Sequence, residues 1–382
     1  MGLRMTDALD AVLDGEGSTS ARLALASRGD ALTPYLHAAL ERRFGVLDVV
    51  EPELTRLQRL GVAAFTLRPT RSAWAERFYK SGLATRLRSE NAVEQLLALD
   101  ERPDVVVQVH ALFEQAVAPT ALYIDCTHRQ SAALWPAWNP LRGRALDDWY
   151  RREQRAYDAA RHLFAFCEPT RRSLVEEYGV APGKVTVVGA GANLRQLPAV
   201  RPLPEDGPPT VLFIGNDFVR KGGEVLLAAF AQVRRAVPDA RLVLVGTRPA
   251  VAPRDGVEII GRVHDRSRIA ELYRSASVFC VPSFFDPYPL VLLEAMAFGV
   301  PVVTTEQAGT PEMVIDGETG RLIQAGNVSA LAGALLEALR DPGTAERRAA
   351  AARRDVEQRF TWDHVVGRMA PVLESLGSGG DR

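Results

Sequence analysis

Two carboxylates, Asp286 and Glu294, stand eight positions apart in the run Pro282-Ser283-Phe284-Phe285-Asp286-Pro287-Tyr288-Pro289-Leu290-Val291-Leu292-Leu293-Glu294-Ala295-Met296. Pro287 keeps Asp286 out of the α region, so Asp286 is expected to be extended. Pro289 suits the first helical position, where a missing N–H costs little. The N–H groups of Leu290 and Val291 then open the helix unpaired, and such a start attracts anions, phosphates above all. The pattern predicts a phosphate cradle flanked by one carboxylate in a loop and one on a helix. A second turn offers the matching cations. The strand Thr210 to Ile214 runs into Gly215-Asn216-Asp217-Phe218-Val219-Arg220-Lys221-Gly222-Gly223, and a helix follows from Glu224 to Ala236. A charge-assisted contact from Arg220 or Lys221 to a phosphate contributes about 1.5–3 kcal/mol.

These elements imply a frame. Apolar strands alternate with helical patterns throughout, which predicts an α/β protein of two doubly wound domains facing across a cleft. In the first half, Arg22 to Ser27, Leu47 to Val50, Ala63 to Leu67, Asp104 to Val109, Ala121 to Ile124, Leu163 to Cys167 and Val185 to Val188 read as strands. Helices are expected over Thr33 to Arg43, Asn91 to Leu99, Asp148 to Leu163 and Thr170 to Tyr178. Polar residues at the carboxyl ends of parallel strands are where such folds place ligands. Gly29, His110, Asp125 and His128 hold such positions. Each also has an ordinary reading: a tight turn for Gly29, a satisfied or surface side chain for the histidines. The Gly189-Ala190-Gly191 turn and the run Pro198 to Pro209 mark a boundary. Met1 to Ser20 reads as a short helix and a flexible link, without a secretory apolar region. In the second half, Ala240 to Val245, Val257 to Ile260, Val278 to Val281 and Val300 to Thr304 read as strands. Arg266 to Ser275, Ser329 to Leu339 and a final helix from Phe360-Thr361-Trp362 read as helices, with Asp265 or Ser267 as a cap.

The Asp286 to Met296 run, with Gly299-Val300-Pro301-Val302-Val303, Gly309, Glu312, Asp316-Gly317 and Gly320, resembles the signature of retaining family 4 glycosyltransferases with the GT-B fold. Asp286 stands for the first Glu of that signature and Glu294 for the second. Pro289 stands where the family has Gly, and Asn216 where it has Arg. The resemblance covers roughly residues 200–375 by motif and the first domain by pattern. It implies an acceptor-side domain over 1–195 and a donor-binding domain over 200–358, with a helix at about 359–377 returning to the first domain. It implies that Arg220, Lys221, Asn216 and Gly215 attend the donor diphosphate, and that Val263 borders the base. Tyr288, Leu290, Val291 and Glu294 complete the donor set, with Glu294 on ribose hydroxyls and Asp286 on sugar hydroxyls. Asp125 or His128 falls near the place beneath the reacting sugar carbon.

The implied reaction moves a sugar from a nucleotide-diphosphate sugar to an acceptor hydroxyl with retained configuration. Polysaccharide, glycolipid or natural-product biosynthesis would use it. Acceptors of the sugar, lipid-linked or natural-product kind stay open. So do two rival readings: a GT-B epimerase or phosphorylase, and a degenerate sugar-nucleotide-binding protein. No D-x-D occurs in the chain, so no metal cofactor is expected.

Composition narrows the rest. The 382 residues, 47% hydrophobic, suffice for two cores. A net charge of -1 gives no field for nucleic acid. Cys126, Cys167 and Cys280 are scattered, outside any metal-ligand spacing, and fit a reducing cytoplasm. No apolar run reaches the roughly 18 residues of a membrane span. One segment, Arg68 to Arg88, is basic and aromatic: Trp74, Phe78 and Leu83 recur at helical spacing beside Arg71, Arg77 and Lys80. Read as one amphipathic helix, it suits an anionic membrane or acceptor, or else a solvated face over a packed one. The expected location is the cytoplasm, either free or peripheral on the inner membrane face. Trp135, Trp138 and Trp149 with Arg142 and Arg144 make an aromatic-basic patch, suited to sugar stacking or to domain packing.

Overall fold

The computed structural model describes residues 21–199 and 207–378. The expectations for Met1 to Ser20, for the middle of the Pro198 to Pro209 run and for the tail after Ser378 lie outside the described residues. Two six-stranded sheets carry the fold, and every strand pairing in both is parallel. The first holds β1 (Arg22–Ala26), β2 (Gly45–Val50), β3 (Val105–Val109), β4 (Thr120–Ile124), β5 (His162–Ala165) and β6 (Val185–Val187) in the order β2-β1-β3-β4-β5-β6. The second holds β7 (Thr210–Ile214), β8 (Arg241–Val245), β9 (Val257–Gly261), β10 (Val278–Val281), β11 (Val302–Thr305) and β12 (Arg321–Ile323) in the order β12-β11-β10-β7-β8-β9. Strands buried on both faces need continuous apolar runs. Val105–Val109 and Val278–Val281 are such runs, buried at every position. The strand order reverses between β1 and β3 in one sheet and between β7 and β10 in the other. These reversals open the crevices where ligands of doubly wound sheets bind.

Three expectations are corrected. Ala63 to Leu67 is not a strand: it ends the helix Arg56–Thr66. Thr55 caps that helix in a capping box with Gln58, and a short apolar run cannot by itself tell helix from strand. Arg68 to Arg88 is not one helix. Ser81 is extended, ends the helix Arg71–Lys80 and caps the helix Gly82–Leu97, which absorbs most of the Asn91 to Leu99 segment. Pro289 is the N-cap of the helix Leu290–Ala297 rather than its first residue, so Leu290 and Val291 still open it. The helix expected from Thr170 starts at Glu168 and passes into a π turn over Ser173–Glu177. The sequence reading missed β12 and the helix Pro342–Arg359.

The last helix, Trp362–Ser378, lies against Thr33–Glu41 and β3 of the first domain. Arg42 and Asp363 pair at 2.6 Å, and Arg43 and Glu374 at 3.1 Å. Trp362 is buried against Gly191, where a Cβ would lie 2.6 Å from its ring. The boundary turn therefore carries glycine for contact rather than for slack.

Candidate active site at the interdomain cleft

The second-domain wall grows from the reversal between β7 and β10. The turn after β7 brings Arg220 and Lys221 over the loop after β10. Gly222 makes this approach possible: its φ is 72°, and a Cβ there would lie 2.0 Å from the Pro282 carbonyl oxygen. Gly215 likewise leaves room for the Lys221 stem, whose Cδ would be 2.5 Å from an added Cβ. Lys221 Nζ lies 2.7 Å from Asp286 Oδ2, and Arg220 Nη1 lies 3.7 Å from the same oxygen. Arg220 also donates to the Phe285 carbonyl at 2.7 Å and to Asp217 Oδ2 at 3.2 Å. All three charged groups of the cluster are buried. Gln307 accepts from the Asp286 N–H at 3.0 Å and donates to Thr310, which fixes the loop. One turn into the helix, Glu294 is buried and accepts from Tyr273 at 3.2 Å and Arg266 at 3.4 Å. Burial pushes its carboxyl pKa up, against the pull of Arg266 and Tyr273.

The first-domain wall grows from the other reversal. His110 ends β3 with φ 62°, uncommon for a residue with a Cβ. Its Nδ1 lies 3.3 Å from Asp125, at the end of β4, and its Nε2 lies 3.6 Å from Asp30, in the loop after β1. Burial disfavours the imidazolium, but Asp125, helped by Asp30, outweighs it and raises the pKa to about 9. Beside this cluster lies a cavity of 320 Å³, lined among others by Lys80, His128, Trp138 and Trp149. Lys80 forms an ion pair with Glu76 at 2.7 Å and hydrogen-bonds His128 Nδ1 at 3.0 Å and Asn139 at 3.3 Å. Burial first, then the Lys80 ammonium, depresses His128 to about 3, so its ring is neutral. Trp138 joins the walls. Its ring centre lies 4.2 Å from the Arg220 guanidinium and its edge meets Phe285, while Trp135 stacks on Phe284.

Residues 208–341 match the Glycosyl transferases group 1 family. The chain carries a group 1 glycosyl transferase domain. The glycogen synthase of Mycobacterium tuberculosis H37Rv is 29% identical over 240 residues, which are 60% of this chain and 56% of that protein. A phosphatidyl-myo-inositol mannosyltransferase of Mycobacterium leprae is 35% identical over 182 residues, 45% of this chain and 48% of that protein. A D-inositol 3-phosphate glycosyltransferase of Kribbella flavida is 33% identical over 236 residues, 55% of each chain. The chain spans about half the length of the curated relatives it matches. Among solved structures, sucrose-phosphate synthase from Thermosynechococcus elongatus superposes with a TM-score of 0.69 at 20% identity, over 94% of this chain and all of that one. HepE of Anabaena, in complex with UDP-glucose, gives 0.65 at 16%, over 93% of this chain and all of that one. With the two parallel sheets, these likenesses make the fold GT-B.

Across the two domains, the residues singled out from sequence fall in two places. Gly215, Arg220, Lys221, Asp286, Leu290, Val291 and Glu294 lie around the β7–β10 reversal or on the helix that starts there. Asn216 is exposed and Val263 half-buried at the rim. Tyr288 is turned the other way: its ring edge meets Phe166 of the first domain, and it packs over Gly309 and Gly189. It serves the junction between domains. In the first domain, His110, Asp125, His128 and Lys80 come together. Gly29 holds the β1 loop with φ 72°. Trp74 points elsewhere, donating to the Ala63 carbonyl at 3.2 Å, and Arg77 is half-buried on the same helix outside the cavity. Lys80, expected on the acceptor or membrane side, lines the cavity and faces His128. Sequence reasoning passed over Asp30, Glu76, Asn139, Arg266, Tyr273 and Gln307. Asp30 had a usable signal, since it follows a strand beside the β1 glycine.

Proposed function

We propose that the chain transfers a sugar from a nucleotide-diphosphate sugar to an acceptor hydroxyl, with retained configuration and without a metal ion. The observation that carries this reading is the Arg220–Lys221–Asp286 cluster set against the start of Leu290–Ala297. Two cations converge on one carboxylate oxygen beside a helix start. An incoming diphosphate replaces that carboxylate as their partner, and Asp286 is released toward sugar hydroxyls. Lys221, Arg220 and the Leu290 and Val291 amides then stabilise the charge that develops as the anomeric C–O bond breaks. Glu294 accepts from ribose hydroxyls. The relatives, a glycogen synthase and two glycosyltransferases acting on inositol-containing molecules, support the same reaction class. So does the UDP-glucose bound to HepE. Asp125 and His128 are proposed beneath the reacting carbon.

The test is incubation with a series of nucleotide sugars, with and without acceptor and EDTA, and NMR of the product anomer. Transfer that keeps the anomeric configuration and survives chelation is expected. Inverted product, or activity lost in EDTA and restored by a divalent cation, overturns the retaining or the metal-free part. Sugar released as an epimer, or as a 1-phosphate in phosphate buffer, favours the epimerase or phosphorylase reading. Nucleotide binding without any turnover favours the degenerate binder.

A second reading concerns location, and we propose a cytoplasmic chain resting on an anionic membrane. No helix among the described residues is long and apolar enough to cross a bilayer. The helix Arg56–Thr66 and the turn after it expose Leu57, Leu60, Phe65 and Leu67 beside Arg56, Arg59, Arg68 and Arg71. Buried acyl contacts and cations near anionic headgroups add, at about 1 kcal/mol per cation. Co-sedimentation with anionic liposomes at physiological salt is expected for the wild-type chain and not for Leu57→Ser/Leu60→Ser/Phe65→Ser. Equal pelleting of both removes this surface from the account.

A further inference from the structure

Two side chains that line the first-domain cavity each hold a buried N–H with no partner among the described residues: His128 Nε2 and Trp149 Nε1. Their residues are 4% and 3% exposed, line the same 320 Å³ space and hold their rings 6.1 Å apart. The tautomer of His128 follows from its neighbour. Lys80 Nζ, 3.0 Å from Nδ1, has only protons to offer, so Nδ1 accepts and the ring proton sits on Nε2. Orphaned buried donors are rare and costly, and two in one cavity mark a place for an oxygen acceptor.

The charges of the cavity say which oxygen. Each cation on its lining is already matched: Lys80 by Glu76 at 2.7 Å, Arg28 by Glu53 at 2.8 Å, and His110 by Asp125 and Asp30 together. Glu153 adds a further carboxyl, accepting from the His128 backbone N–H at 3.1 Å. A phosphate or carboxylate placed here meets no free cation and several carboxyl groups. A neutral hydroxyl or ring oxygen meets two waiting N–H groups. Trp138 supplies a partly exposed aromatic ring of the kind that covers the C–H face of a sugar ring. Trp138 also lies under Arg220, so the cavity adjoins the donor cations.

We infer that this cavity takes one uncharged polyhydroxylated ring, a sugar or cyclitol unit without phosphate, with an oxygen lodged between His128 Nε2–H and Trp149 Nε1–H. Its role as the acceptor site rests on the transferase reading above. The test uses the full chain and matched pairs: glucose, mannose and myo-inositol against glucose 6-phosphate, mannose 6-phosphate and inositol 3-phosphate. Binding is followed by intrinsic tryptophan fluorescence and saturation-transfer NMR. At least one uncharged member is expected to bind about tenfold more tightly than its own phosphate, since a site with paired cations gives the phosphate nothing. Trp149→Phe, which removes the N–H and keeps most of the packing, is expected to weaken that ligand by about 5–20-fold, the range for one lost hydrogen bond. Loss in His128→Phe with partial rescue in His128→Gln, which keeps a side-chain N–H, is the matching result. The inference is overturned if no uncharged member binds, if the phosphates bind as well or better, or if Trp149→Phe binds like wild type. Nucleotide-sugar turnover is scored in parallel. Its absence alongside intact sugar binding removes the transferase reading and leaves the ring-binding cavity standing.

Discussion

Both walls of the cleft sit at strand-order reversals and both mix cations with carboxylates, yet the charges are arranged differently. On the second-domain wall, Arg220 and Lys221 are neighbours in sequence and converge on one oxygen of Asp286. Helix amides stand beside them. On the first-domain wall the cations are dispersed, and each is locked to its own carboxylate, as Lys80 is to Glu76 and His110 to Asp125. Converging cations can exchange one shared partner for a diphosphate. Dispersed pairs would each have to break. On the proposed reading, the same fold suits one wall to an anion and the other to a neutral group, through how charge is grouped rather than how much is present.

Removing the convergence is expected to give the largest effect. Lys221→Ala should lower kcat/KM for the nucleotide sugar by about 10²–10³, the range for losing one preorganised donor to a developing anion. Steady-state kinetics on a folded variant measures it, and a change under about fivefold would make Arg220 and the helix amides sufficient. The turn that creates the convergence comes next. Gly222→Ala places a Cβ 2.0 Å from the Pro282 carbonyl oxygen at a φ of 72°. Positive φ and overlap together should cost about 3 kcal/mol of stability by chemical denaturation. Glu294→Ala should weaken nucleotide-diphosphate-sugar affinity by about 1–3 kcal/mol in titration calorimetry, since a buried carboxylate acceptor is lost. Unchanged affinity would reduce Glu294 to a partner for Arg266 and Tyr273.

The two walls also differ in how far the sequence revealed them. The second-domain wall was legible because its residues are contiguous: Arg220-Lys221 in one turn, Asp286 to Glu294 in one loop and helix. A local pattern and a local geometry coincide there. The first-domain wall is assembled from Asp30, Lys80, His110, Asp125, His128 and Trp149, spread over about a third of the chain and joined only where parallel strands end. Strand ends were readable for His110 and Asp125. The inward aim of Lys80 was not, because helical spacing around Trp74 and Phe78 gives no sign that Ser81 breaks the helix and turns its last residue toward His128. Ala63 to Leu67 failed for a related reason: a short run with four apolar residues in five fits a strand or a helix, and the Thr55–Gln58 capping box that decides lies eight residues earlier.

The smallest expected effect tests whether the first-domain pairs are as fixed as the comparison requires. The folded chain raises His110 from 6.5 to about 9, chiefly through Asp125 against the cost of burial. A raised histidine contributes stability that is complete below pH 6.5 and disappears as pH climbs through about 9. His128 runs the other way: its value falls from 6.5 to about 3, so its neutral form stabilises the fold above pH 6.5 and is lost on acidification. Between pH 6.5 and 9 the His128 contribution is flat. Asp125→Asn keeps the shape of the side chain and removes the charge that holds the imidazolium. The difference in stability between wild type and Asp125→Asn should therefore shrink as pH rises across that window, by about 1 kcal/mol, or a few degrees in Tm. Paired thermal melts at pH 6.5 and 9 measure it. A constant difference would mean that His110 is neutral throughout, and the first-domain wall would then carry an unmatched Asp125 and Asp30 rather than a closed pair.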